Sequence, residues 1–250
     1  MPYGLYISAE GAQVQSRRLE VISNNLANVE TTGFKRDLAL FQARYAEETA
    51  RGQDYPGSRS VNDLGGGVRI TDTQTDFSPG VLERTGVKED LAIRGEGFFV
   101  VRKGDEQLLT RAGNFVLTPD GQLKTQTGHA VMSEAGGPIV LDPAVPEWRV
   151  TPDGAIEQEG TLQRLALVRP DSLGDLAKAG ENAFAALAPT RPLAAGERDV
   201  AGGYLEGSGV KPTTAMMEMI EASRAFEANV NLIRSQDQML GGLIGRILKA

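Results

Sequence analysis

Met216-Met217-Glu218-Met219-Ile220-Glu221-Ala222-Ser223-Arg224-Ala225-Phe226-Glu227-Ala228-Asn229-Val230-Asn231-Leu232-Ile233 opens a stretch that runs on through Leu240 and Ile244 to Ile247. Met219, Phe226, Ile233, Leu240 and Ile247 recur every seven residues. Met216, Val230 and Ile244 occupy the companion row, three residues before or four after, and Ser223 and Asp237 are its polar exceptions. A seven-residue apolar repeat marks a helix that packs along its length against another helix. Pro212-Thr213-Thr214 supplies the start, with a threonine hydroxyl as N-cap. No globular sequence follows the stripe within the 250 residues, so its partner is expected earlier in the chain or in another copy.

A second repeat stands at the opposite end. Leu5, Ala12, Leu19 and Leu26 are seven apart, Ile7, Val14 and Val21 form a parallel row, and Ile22 and Val29 widen the face. That width exceeds a two-strand seam and predicts more than one neighbour. Asn24, Asn25 and Asn28 then crowd the end of the pattern. Two readings stand for them. Asparagine competes for backbone hydrogen bonds and frays a helix before the Thr31-Thr32-Gly33 turn; alternatively, the amides bond across a helix interface and fix its register.

Between the repeats the period changes. Phe34 to Glu48 is compatible with a helix carrying Leu38, Phe41 and Tyr45 on one side. The polar run Arg51 to Asp63 and the Gly65-Gly66-Gly67 triplet predict an extended connector, and Val68-Arg69-Ile70 a strand. From Val81 to Leu205, short apolar runs such as Phe98-Phe99-Val100-Val101 and Ile139-Val140-Leu141 alternate with turns, including Pro119-Asp120-Gly121 and Pro152-Asp153-Gly154. That rhythm predicts antiparallel β structure, with a helical turn near Ser172 to Lys178. The expected class is α+β: a discontinuous coiled-coil domain from residues 1–35 and 211–250, an extended linker over 36–75, and a central, mainly antiparallel β domain over 76–210.

Composition narrows the function. A net charge of -7 without a lysine or arginine run argues against a nucleic-acid surface. No apolar stretch approaches the roughly 20 residues that span a bilayer, so no membrane insertion is expected. The first residues have neither the basic nor the apolar region of a cleaved signal peptide. There is no cysteine and one histidine, His129, with no carboxylate cluster beside it, so no metal site is expected. Gly95-Glu96-Gly97 lacks the third glycine of a dinucleotide fingerprint and precedes a strand rather than a helix. Pairs such as Glu47-Glu48 and Glu89-Asp90 lie in polar, solvated segments. No cofactor and no catalytic residues are expected.

Three stretches carry a resemblance. Ser23-Asn24-Asn25-Leu26-Ala27-Asn28-Val29-Glu30-Thr31-Thr32-Gly33-Phe34-Lys35 is the first. Asp90-Leu91-Ala92-Ile93-Arg94-Gly95-Glu96-Gly97-Phe98-Phe99-Val100-Val101 is the second, continued by Leu109-Thr110-Arg111-Ala112-Gly113-Asn114-Phe115. Gly203-Tyr204-Leu205-Glu206-Gly207-Ser208-Gly209-Val210, leading into Met217 to Asn229, is the third. In order and spacing they resemble the bacterial flagellar rod and hook family of axial proteins. Ser208-Gly209-Val210 stands where the family usually has Ser-Asn-Val, and Ser223-Arg224-Ala225-Phe226 where it has a glutamine before Arg-Ala-Tyr. The size of the β region fits a rod protein, since hook proteins commonly carry further inserted domains.

The resemblance implies export through the flagellar type III apparatus without a cleaved signal peptide. It implies a place in the periplasm-spanning rod of the basal body, which transmits torque. Its partners would be further copies and other rod and hook axial proteins, with the terminal helices forming an inner tube and the β region lying outside. At 1.5 Å per residue, about 34 residues from Thr214 would make a rod of roughly 50 Å and the N-terminal helix about 40 Å. The assembly interface is expected at Leu5, Ala12, Leu19, Ile22, Asn24, Asn25, Leu26 and Asn28, and at Met219, Phe226, Val230, Ile233, Leu240, Ile244 and Ile247. Apolar seams with so little chain to cover them predict termini that are partly disordered in the monomer and fold on assembly. Two other classes compete: an exported enzyme acting on the cell wall from an axial scaffold, and a coiled-coil adaptor unconnected to flagella.

Overall fold

The computed structural model describes residues 3–43, 45, 49, 51–53, 55, 65–145 and 147–247. The chain divides into two units. Unit one is built from Met1–Ala27, Arg36–Asp76 and Val210–Ala250; unit two from Asn28–Lys35 and Phe77–Gly209.

Unit one contains helices α1 (Tyr3–Ala27) and α2 (Pro212–Ile247) and strands β1 (Asp37–Ala43) and β2 (Val68–Thr75). The helices pack antiparallel. A Cβ added at Gly11 would lie 2.9 Å from Asn229 Oδ1, and one at Gly4 would lie 3.0 Å from Gln236 Nε2. Moving seven residues toward the start of α1 thus moves seven toward the end of α2. These glycines let the backbone of α1 approach the amide side chains of α2 closely, a role that outweighs their cost of about 1 kcal/mol in a helix. Buried on α1 are Ser8, Ala12, Val14, Ile22 and Asn25; on α2, Ala215 and Ala222.

Strands β1 and β2 pair antiparallel from Asp37↔Thr75 to Ala43↔Val68, with a register shift between Leu40 and Phe41. This corrects the helix expected over Phe34 to Glu48, as far as the described residues reach. The strand expected at Val68-Arg69-Ile70 is β2, and most of the connector expected over Arg51 to Asp63 lies outside the described residues. The spacing of Leu38, Phe41 and Tyr45 mimics a helical face. The β-branched residues of Val68–Thr75 offer a strand partner instead, and Asn25 fixes the start of β1. Its Nδ2 donates to Asp37 O at 2.8 Å and its Oδ1 accepts from Asp37 N at 2.9 Å.

Unit two is antiparallel β. Its strands are β3 (Leu82–Arg84), β4 (Leu91–Ile93), β5 (Phe98–Lys103), β6 (Glu106–Thr110), β7 (Phe115–Leu117), β8 (Leu123–Thr125), β9 (Ala130–Val131), β10 (Trp148–Val150), β11 (Ala155–Gln158), β12 (Thr161–Arg164), β13 (Leu167–Pro170), β14 (Leu176–Gly180), β15 (Ala183–Ala186), β16 (Thr190–Pro192), β17 (Val200–Gly202) and β18 (Tyr204–Glu206). The main sheet runs β14-β15-β6-β5-β9-β8-β7, and β13 joins β5 to β16. The expected turn near Ser172 is a short 3-10 helix, Leu173–Asp175, capped by the Ser172 side chain. Strand β5 organises the core because both its faces are buried. Phe99 and Val101 enter a cluster with Leu123, Ile139, Leu165 and Leu167. Phe98 and Val100 enter a second with Leu109, Met132 and Phe184. Phe77 closes that second cluster, its ring 5.2 Å from Phe184 and 5.9 Å from Phe98.

Candidate assembly surface

The expected interface residues divide by position. On α1, Ala12, Ile22 and Asn25 are buried, Leu5, Leu19 and Leu26 half-buried, and Asn24 exposed. Asn28 belongs to unit two, where its Oδ1 accepts from Thr31 Oγ1 at 3.1 Å and its carbonyl accepts from Thr31 N at 3.2 Å. Asn25 therefore ties a helix to a strand, and Asn28 closes a turn.

On α2, Met219, Phe226, Val230, Ile233 and Leu240 are half-buried. Ile244 is 55% exposed and Met216 52%. Ile247 ends the helix, and its side chain lies outside the described residues. The row paired with Met219, Phe226, Ile233 and Leu240 is not the expected companion row of Met216, Val230 and Ile244. It is Ala215, Ala222, Asn229 and Gln236, again seven residues apart, with Ala222 at 0% exposure. Small and amide side chains are invisible to a search for apolar periodicity. Their seven-residue spacing opposite Gly4 and Gly11 is the signal that finds them. Met217, Ile220, Leu232, Met239 and Leu243 are exposed by more than half, a long apolar surface that a single copy leaves uncovered.

Unit two contains a second feature that apolar patterning missed. Lys35, Arg111 and Glu206 are buried together. Glu206 accepts from Lys35 Nζ at 2.7 Å, from Gly80 N at 2.8 Å and from Arg111 Nη1 at 3.3 Å. Two cations face one carboxylate and donate also to main-chain oxygens, while Arg111 Nε is buried with no hydrogen-bond partner among the described residues. Lys35 Nζ donates to Ser78 O at 2.8 Å; Arg111 donates to Ile93 O at 3.2 Å and Gly95 O at 2.6 Å. Burial pushes the Arg111 guanidinium below its ordinary value, and the Glu206 carboxylate opposes that shift. Gly33 brings the first segment to this cluster. Its N–H donates to Glu206 O at 2.6 Å, and its φ of +65° belongs to glycine. Asn182 Nδ2 donates to Thr32 O at 2.6 Å, and Lys178 Nζ lies 4.7 Å from the centre of the Phe34 ring. Each member of the trio lies in one of the three motif stretches, so the motifs mark an internal lock as well as helical surface.

His129 is buried, with Nε2 3.0 Å from Glu181 Oε2, beside a Lys103–Glu181 pair also at 3.0 Å. Among the described residues, no group of three or more His, Asp or Glu is arranged to hold a metal ion. No helix among them is long and apolar enough to cross a membrane.

Comparisons with known proteins match three stretches of the chain. Residues 5–35 match the flagella basal body rod protein family, which covers α1 and Lys35. Residues 92–158 match the flagellar hook protein FlgE/F/G D1 domain, which contains Arg111. Residues 201–245 match the flagellar basal body rod FlgEFG protein C-terminal family, which holds Glu206 and most of α2. The flagellar basal-body rod protein FlgF of Caulobacter vibrioides is 32% identical over 100% of this chain and 99% of its own. FlgG of Bacillus subtilis is 31% identical over 96% and 97%, and FlgG of Buchnera aphidicola subsp. Baizongia pistaciae is 34% identical over 94% and 96%. With every motif in place and near-complete coverage of both chains, this chain belongs to the flagellar basal-body rod protein family, as a structural rod subunit of the proximal (FlgF) or distal (FlgG) kind.

Proposed function

We infer that the chain is the proximal subunit, self-assembling helically through α1 and α2 to carry torque across the periplasm. The observation that carries this is the exposed apolar surface of α2, which a neighbouring subunit would cover. The runs Leu82-Glu83-Arg84-Thr85-Gly86 and Gly136-Gly137-Pro138-Ile139-Val140-Leu141-Asp142-Pro143 favour the proximal kind, as does Leu165-Ala166-Leu167-Val168-Arg169-Pro170. The near-equal identity of the FlgG relatives keeps the distal kind as the second reading. Export runs through the flagellar type III apparatus without cleavage of a leader, and the partners are further copies and the axial proteins above and below. The role is structural rather than enzymatic in this reading, and purified protein is expected to release nothing from cell wall.

The test is recovery of hook–basal bodies from a strain carrying a tagged chain. Rod occupancy on the motor side of the FlgG segment is expected, together with loss of motility on deletion. Occupancy toward the hook would select the distal kind, and absence from the rod would end the proposal.

A further inference from the structure

The chain has no cysteine, so its thioethers are the softest nucleophiles it offers to an oxidant. Their placement is uneven. Four of the six methionines, Met216, Met217, Met219 and Met239, lie on α2. Met216 is 52% exposed, Met217 and Met239 are each 64% exposed, and Met219 is half-buried. Met132 of unit two is the opposite case, 2% exposed in the cluster of Phe98, Val100 and Phe184.

The exposed methionines belong to the apolar surface of α2. Met217 lies three residues before Ile220, and Met239 lies seven after Leu232 and four before Leu243. Those spacings put each methionine on one helix face with its apolar neighbours. Ile220 and Leu232 are each 53% exposed and Leu243 is 58% exposed. At 1.5 Å per residue, Met217 and Met239 stand about 33 Å apart along the helix. The surface therefore carries an oxidisable group toward each end.

Resting on the reading of this surface as the assembly face, we propose that Met216, Met217 and Met239 are oxidation sites for hydroperoxides and that their sulfoxides bar the free chain from the rod. With hydrogen peroxide, the sulfur lone pair attacks one oxygen, the O–O bond breaks and an S–O bond forms. The departing hydroxide takes the proton of the transferred hydroxyl and leaves as water. The sulfur gives up two electrons and the peroxide gains them. The product bears a hydrogen-bond acceptor on a side chain that was apolar. Covering that oxygen without a donor costs its desolvation, so an oxidised surface resists the burial that incorporation demands. A neighbouring subunit shields the same sulfurs once the chain is in place, so the switch acts before assembly and not after it.

Hydrogen peroxide treatment of the purified full-length chain, followed by mass spectrometry of its peptides, tests the sites. Sulfoxide is expected at Met216, Met217 and Met239 at least tenfold faster than at Met132. Equal rates, or no gain of oxygen on α2, would overturn the assignment. Recovery in basal bodies tests the block. Glutamine places an amide oxygen near where the sulfoxide oxygen would stand, and leucine keeps the side chain apolar at similar volume. A Met217→Gln/Met239→Gln chain is expected at no more than a tenth of the level of a Met217→Leu/Met239→Leu chain, with the near-ultraviolet dichroism of Trp148 the same in both. Equal recovery of the two would overturn the block. So would loss of the leucine chain, because the thioether itself would then be what the rod requires. Absence of the unmodified chain from basal bodies would instead overturn the rod reading and leave the peroxide result standing.

Discussion

Glu206 holds two cations that have left water, and the energetics of that burial decide what its loss does. Removing the acid strands Lys35 and Arg111, and breaking a buried pair in this way costs about 3–5 kcal/mol. Glu206→Ala should lower stability by that amount in urea unfolding followed through Trp148, the single, buried tryptophan of unit two. A loss under about 1 kcal/mol would show that water reaches the site. Gly33→Ala forces a left-handed residue and places a Cβ 2.5 Å from the Arg111 carbonyl carbon; its cost is expected above about 1–2 kcal/mol, the penalty of the left-handed backbone alone. At the surface, the Lys103 hydrogen bond holds the Glu181 carboxyl below the ordinary carboxylate value. A depressed folded value means this contact stabilises above the ordinary glutamate range and is lost as pH falls through the folded value. Lys103→Met should return the Glu181 midpoint toward that range in a carboxyl NMR titration; an unmoved midpoint would assign the shift to another cause.

Helices α1 and α2 were legible because a seven-residue repeat survives without any knowledge of the partner. Strand β1 was not. Its helix-like spacing is a local signal, and its partner β2 begins 25 residues after β1 ends, beyond what periodicity reads. The polar residues divided the same way. Asn25 was visible as an anomaly, but its bond to the backbone of Asp37 is tertiary. Lys35, Arg111 and Glu206 each look like an ordinary solvated charge until the fold brings them together. Phe226 and Ile233, half-buried on the inner row, test the element itself. Phe226→Asp or Ile233→Asp is expected to block incorporation into basal bodies while near-ultraviolet dichroism of unit two stays unchanged. Normal rods with either variant would remove those positions from the assembly surface.

For the molecule as a whole, the two units differ in what stabilises them. Unit two encloses two apolar clusters and a buried ionic lock. Unit one rests on a helix pair and a two-stranded ribbon, which is marginal alone in water. Limited proteolysis of the monomer is expected to trim both terminal helices well before it cuts unit two, and assembled rods should lose that difference. Equal resistance in the monomer would mean the helix pair is already rigid before assembly.

The ionic lock also bears on timing. Its members come from positions 35, 111 and 206, so closing it joins segments 171 residues apart in the chain. Contacts of such long sequence separation form late and slowly. A polypeptide delivered amino end first presents Lys35 and Arg111 to water long before their carboxylate arrives. Under the export proposed above, this lock cannot close until more than four-fifths of the chain has emerged, so the last fastening of unit two waits on its late segment.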